Sequence, residues 1–304
     1  MSTQPTLLQQ FRSFCFQNNA SNLELAIEYF SVFGGMGWRV DMSKPLDTLI
    51  EEKLLKNYRY IHGDITKITK SNNIHHKILT ALAIGDRREH SAFKKAQVSK
   101  FDGENSIDFL VENGMLSIDK SVELPVKDHD KVSNKLLFTQ PFMRFWFATI
   151  SPYYKGIKEG EYTEFKEQWS HTQQEFSTLI YNQLVMELIK KNFDEDPITL
   201  IGSYWDTNVE IDILAKTKSG KMIAGACKHS KSKAKKTLLT QLKEDANKAQ
   251  LDIETYVLYS KNKFSQELKK EKGKKVQLFS LNSIGNLMND LGEKDLLVHT
   301  NKKY

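Results

Sequence analysis

Between Thr199 and Lys228 the chain reads TLIGSYWDTNVEIDILAKTKSGKMIAGACK, and this run limits the available folds more than any other feature. Ile201 opens a run ending at Trp205, Asp206-Thr207-Asn208 supplies turn residues, and Val209 to Ala215 is rich in β-branched side chains. Lys218-Ser219-Gly220-Lys221 then forms a hairpin turn before Met222 to Cys227. The pattern is three short strands in succession. Side chains alternate along a strand, so Glu210 and Asp212 share one face while Ile211 and Ile213 take the other. Lys228 closes the third strand, beside the strand that carries Asp212. An acid on one strand and a lysine ending its antiparallel neighbour suit a divalent-metal phosphodiesterase. The carboxylate holds the cation, and the lysine stabilises charge or orients the attacking water. The plain alternative for Glu210 and Asp212 is the charged solvent face of a half-buried strand.

The segment GSYWDTNVEIDILAKTKSGKMIAGACKHS resembles the C-terminal domain of unknown function found behind archaeal-type P-loop ATPases, a member of the PD-(D/E)XK restriction-endonuclease-like superfamily. Upstream, LLFTQPFMRFWFATISPYY (136–154) is similar to the aromatic segment that joins the ATPase's winged helix to that domain. The resemblance implies that Asp212 is the metal-binding aspartate, Lys228 the catalytic lysine and Glu175 the helix glutamate. It implies Mg²⁺ or Mn²⁺ as cofactor if the site is active, held by Asp212 and Glu175, and Glu210, which shares the expected face of Asp212, is a further candidate ligand. The departure is Ala226, which stands where the family pattern has an acid. Gln241, Glu244 or Asp245 on the following helix could supply a displaced polar group. The ATPase module is not part of this sequence, so no nucleotide cofactor is expected.

The elements around the three strands give the fold class. EYTEFKEQWSHTQQEFSTLIYNQLVMELIKKN is a helical region whose apolar stripe is Phe176, Leu179, Ile180, Leu184 and Leu188, with His171 one turn before Glu175. After Lys228 come a helix with Leu238, Leu239, Leu242 and Ala246 inward, the strand ETYVLYS, the helix KFSQELKKEKG, the strand KKVQLFSL and a closing helix. A meander followed by crossover connections gives an α/β (α+β overall) fold with a mixed sheet flanked by helices. That is the core topology of a restriction-endonuclease-like domain, assigned here to residues 171–295 with a tail at 296–304.

Residues 1–60 read as an N-terminal helical segment, with Ser21 and Glu24 as a capping pair and Gly34-Gly35 as a helix stop. FGGMG lacks the following Gly-Lys-Ser/Thr of a phosphate loop. DTLIEEKLLKNY predicts a further helix from Asp47 to about Tyr58. Residues 61–141 suit a winged helix. Ile74, Ile78, Leu79, Leu82 and Ile84 line the first helix, HSAFKKAQVSKF gives the second, and NSIDFLVENGML gives the third, capped by Asn105 or Ser106. MLSIDKSVELP and NKLLFTQ form the wing around the polar loop VKDHDKVS. Such a module serves either DNA contact, with Lys94 and Lys95 on its basic second helix, or interdomain packing. Phe142, Phe145, Trp146 and Phe147 lie in a joining segment, 142–170, and read as buried core in preference to a base-stacking platform.

The formal net charge of +6 fits a polyanionic partner. The lysines cluster at Lys228, Lys231, Lys233, Lys235 and Lys236 and again from Lys261 to Lys275, either as a solvated surface or as contacts to phosphate. DNA is the expected partner, alongside a partner protein or a homodimer. A mean hydropathy of −0.50 with no long uncharged apolar run excludes a membrane-spanning helix. Cys15 and Cys227 lie far apart, which argues against a disulfide and for a reducing, cytoplasmic setting. Three readings stand at this point. One is a nucleic-acid-binding protein with a degenerate endonuclease-like site, and another an active Mg²⁺- or Mn²⁺-dependent DNA nuclease. The third is a regulatory partner of a separate ATPase.

Overall fold

The computed structural model describes residues 4–123 and 132–297, and of Glu175 only the backbone. Most of the expected loop VKDHDKVS therefore lies outside the described residues. Contacts group the chain into two units. The first takes residues 1–118, 134–177 and 291–304, and the second takes 119–133 and 178–290.

The first unit is helical. Helices α1 (Leu7–Gln17) and α2 (Leu23–Phe33) open it, each started by a side-chain cap. At α2 the cap is Asn22, whose carboxamide accepts the Leu25 N–H, so the expected Ser21 cap gives way by one residue. The helix expected from Asp47 to Tyr58 is α3 (Leu46–Ile50) plus a π-helical turn over Glu51–Leu55, and a separate α4 (Tyr58–Ile68) follows. Next come α5 (Asn73–Ala83), α6 (Glu89–Ala96) and α7 (Lys100–Glu112), then strands β1 (Leu116–Asp119) and β2 (Lys135–Phe138), which pair as a two-stranded sheet. Helix α7 starts well before Asn105. Ser99 caps it by accepting the Asp102 N–H, while Ser106 is buried and hydrogen-bonds His75 Nδ1 at 2.8 Å. The aromatic segment forms α8 (Pro141–Phe145) and a π-helical turn over Trp146–Ile150, followed by α9 (Tyr154–Glu159) and α10 (Thr163–Phe176). Phe142, Phe145, Trp146 and Phe147 are all buried among Trp38, Tyr58 and Trp169, so the core reading of these aromatics holds.

The second unit holds the sheet. Helix α11 (Thr178–Asn192) precedes strands β3 (Ile198–Trp205), β4 (Glu210–Thr217) and β5 (Met222–Lys228). Then follow α12 (Lys236–Lys248), β6 (Thr255–Ser260), α13 (Gln266–Lys270), β7 (Val276–Ser280) and α14 (Leu281–Ile284). Strand order is β3-β4-β5-β6-β7, antiparallel across the first three and parallel from β5 to β7. This is the expected mixed sheet flanked by helices. Asp206 makes the first turn by accepting the Asn208 and Val209 N–H groups, and Gly220, at φ 89°, supplies the left-handed residue of the second. Leu239, Leu242 and Ala246 of α12 pack on Leu214, Ala224 and Leu258, a row in which Leu214 stands opposite Ala224 and Leu258 opposite Ala226. That row marks the face of the sheet under α12.

Candidate functional site at the strand ends

The paired stretch of β4 and β5 ends where Ile213 stands opposite Gly225. Alternation along β5 puts Ala226 and Lys228 on the face of Ala224, but the register irregularity opposite Gly202 and Tyr204 gives β4 an extra residue, so Ile211 joins Leu214 in the core under α12 and Asp212 turns with Glu210 to the opposite face. Asp212 and Lys228 thus lie at the same end of the strand pair but on opposite faces, so the shared face expected from alternation is not formed. Their electrostatics differ from the expected site. Asp212 Oδ2 accepts the Cys227 N–H at 2.8 Å, so this carboxylate staples β4 to the end of β5. Lys228 is half-buried and makes no ion pair with a described side chain. Burial, with the Asp212 charge beside it, holds the Cys227 thiol well above its ordinary range, which removes it as a nucleophile. Both cysteines are free thiols.

Glu210 is exposed, further out on the face of Asp212. Glu175 lies in α10 of the first unit, and its side chain is outside the described residues. On α12, Gln241 is exposed and its carboxamide donates to the half-buried Asp245 at 2.9 Å. Among the described residues no group of three or more His, Cys, Asp or Glu side chains is placed to share a metal ion. Ala226 ends in a methyl group, so this position of β5 offers no side-chain oxygen. Among the described residues this donor set falls short of the near-octahedral oxygen shell that Mg²⁺ demands.

The lysines are arranged more coherently. Residues 229–235, after β5, run beside residues 261–265, after β6, and backbone bonds join the two loops. Lys261 N–H donates to Lys228 O at 2.9 Å, Ala234 N–H to Lys263 O at 2.9 Å and Ser265 N–H to Ala234 O at 2.8 Å. The Asn262 carboxamide donates to Lys231 O. Two clusters far apart in sequence thus form one basic ridge at the carboxyl ends of adjacent parallel strands. Lys231, Lys233, Lys235 and Lys263 are exposed and have no ion pair with a described residue. Lys236, by contrast, is held by Glu271 at 2.6 Å, which neutralises its charge locally. The ridge continues into a concavity of about 600 Å³ lined by Lys261, Lys263, Lys269 and Lys272. In the first unit, Lys94 and Lys95 are exposed on α6, and Lys95 lines a separate cavity.

Sequence reasoning missed the polar cluster under the ridge, on the α11 side. His229 Nε2 lies 2.7 Å from Asn182 Oδ1, an acceptor, which places the proton on Nε2. The His229 ring packs between Tyr181 and Tyr259, and Lys261 Nζ sits 5.3 Å from the Tyr181 ring centre. Burial, helped by Lys261, pushes the imidazole pKa down to about 4, so His229 is neutral at pH 7. The only sequence signal was a histidine directly after Lys228.

Residues 146–240 match the family model described as archaea bacterial proteins of unknown function (DUF234). The match covers Asp212, Ala226, Lys228 and the 231–236 lysines. No curated protein and no solved structure matches the chain. Among the described residues no helix is long and apolar enough to cross a membrane.

Proposed function

We propose that the protein binds nucleic acid through a restriction-endonuclease-like second unit whose cleavage site is degenerate. The basic ridge carries this reading. It joins Lys231, Lys233 and Lys235 to Lys261 and Lys263 without neutralising acids on the exposed members. Between Lys261 and Lys275 seven lysines face two glutamates, a local +5 in a chain of formal charge +6. Cations spaced along a ridge suit a phosphate backbone, which offers a regular row of negative charge. Asp212 supports the degenerate reading, because its carboxylate is bonded to the Cys227 N–H of β5 and the position of Ala226 brings no acid.

Fluorescence anisotropy with labelled duplex and single-stranded DNA and RNA, titrated across a salt series, tests this. Each phosphate neutralised steepens the dependence of log affinity on log salt by ~0.7–0.9. Replacing Lys231, Lys233, Lys235 and Lys263 together by Gln should therefore lower affinity and flatten that slope by ~3. Asp212→Asn should leave affinity unchanged, and incubation with Mg²⁺ or Mn²⁺ should leave the DNA intact. An affinity indifferent to salt and to the lysine substitutions would refute the binding reading. Metal-dependent cleavage lost in Asp212→Asn would replace the degenerate site with an active nuclease.

A further inference from the structure

The first unit contains a cavity of about 620 Å³ between α4, α5, α6 and the segment from Trp146 to Tyr154. It falls within the size range of small-molecule sites. One wall is aromatic. Tyr58 and Trp146 stack at 5.6 Å with planes 6° apart, and His62 packs against Tyr58 at 5.3 Å. At the rim Tyr154 and Ile84 stay 46% and 44% exposed, leaving an apolar shelf open to a flat ring. The only charged residues lining the cavity are Lys77 and Lys95, both exposed; no carboxylate lines it among the described residues. Neither lysine has an ion pair with a described residue. Burial lowers the pKa of both His62 and His76, so at neutral pH the positive charge comes from the lysines.

Hydrogen-bonding groups complete the lining. Thr80 and Ser151 present hydroxyls, and Asn73 and Gln97 present carboxamides. Gln97 is held at φ 54°, the left-handed region, a strain that glycine would avoid. A carboxamide offers a paired donor and acceptor, which suits the edge of a nucleobase. Two ammonium groups and two hydroxyls suit a phosphate dianion. Stacking surface, amide edge and uncompensated lysines together select a planar base carrying a phosphate.

We infer that this cavity is a binding site for a nucleoside 5′-monophosphate group, either free or as the 5′ end of a strand. It stands apart from the reading of the second unit, since the cavity is built wholly from the first. Calorimetry on the full chain tests it with AMP, GMP, CMP and UMP, with adenosine and inorganic phosphate as controls. A matched pair of short oligonucleotides carrying a 5′-phosphate or a 5′-hydroxyl forms the second arm. The expected result is binding of a monophosphate, with adenosine and phosphate each far weaker. Lys77→Ala and Lys95→Ala should each weaken it about tenfold, the worth of one charge-assisted hydrogen bond. Both lysines are exposed, so circular dichroism should show these variants folded. Preference for the 5′-phosphorylated strand over the free nucleotide, lost in the same variants and kept when Lys231, Lys233, Lys235 and Lys263 are replaced, would assign the site to strand ends. No binding in either arm, or binding that ignores both lysine substitutions, would overturn the inference.

Discussion

At the scale of single residues, His229 carries a pH signature. In the unfolded chain a histidine titrates near pH ~6.5, whereas burial in the fold holds His229 at about 4. Between those values the unfolded state takes up a proton that the folded state refuses. Stability should therefore fall as pH drops from ~6.5 toward ~4, and the residue should contribute no slope above that window. At pH 5 the loss amounts to ~2 kcal/mol. Urea unfolding at pH 7 and pH 5 should show a smaller loss for His229→Gln than for wild type, by that amount. Equal losses would mean the imidazole is not shielded as described. The same cluster shows where sequence reading runs out. The strands of Asp212 and Lys228 are legible because one hairpin turn sets them side by side, but the extra residue in β4 that turns Asp212 to the other face leaves no mark in the alternation. The partnership of His229 with Asn182, 47 positions away, is a tertiary contact that no local spacing encodes. The Asp212 bond to a backbone N–H is hidden for another reason. A carboxylate looks the same in sequence whether it holds a cation or a strand.

At the scale of elements, glycines in helices separate propensity from packing. A Cβ on Gly63 in α4 would meet nothing within 4 Å, whereas a Cβ on Gly103 in α7 would meet the Phe93 ring at 2.4 Å. Alanine gains ~1 kcal/mol of helix propensity at either place. Overpacking against a buried ring costs ~1–3 kcal/mol. Gly63→Ala should raise the thermal midpoint and Gly103→Ala should lower it, read by calorimetric melting. Matching signs would show that Phe93 yields. Element type is mostly legible from apolar period. The succession from α11 to β7 follows from the sequence because β-branched runs and amphipathic stripes differ so clearly. Boundaries do not. The start of α7 is easily misplaced because Ser106, a good cap by type, is a buried partner of His75, while the true cap Ser99 sits in a lysine-rich stretch that reads as polar linker. The π-helical turns at Glu51–Leu55 and Trp146–Ile150 leave no signature in the apolar period.

At the scale of the whole molecule, the chain passes between its two units at residues 118, 133, 177 and 290. The last described residues return to the first unit. There Arg12 grips Asp295 through two hydrogen bonds of 2.7 and 3.0 Å, and Ser13 Oγ accepts the Leu297 N–H at 3.0 Å. Both charged side chains are mostly buried, at 16% and 13% exposure, so removing one costs the other its bidentate partner. Asp295→Ala should cost ~1–3 kcal/mol, and a second substitution, Arg12→Met, should recover part of it. A double-mutant cycle by chemical denaturation measures the coupling, and additive single effects would argue against the clasp. That return of the chain also sets an order of events during synthesis. Helix α1 leaves the ribosome ahead of the other helices, yet its clasp arrives only after about 120 further residues beyond Ser177 have been added, roughly 6–24 s at ~5–20 residues per second. Over that interval the whole sheet, with its lysine ridge, is synthesised while α1 still waits for its clasp.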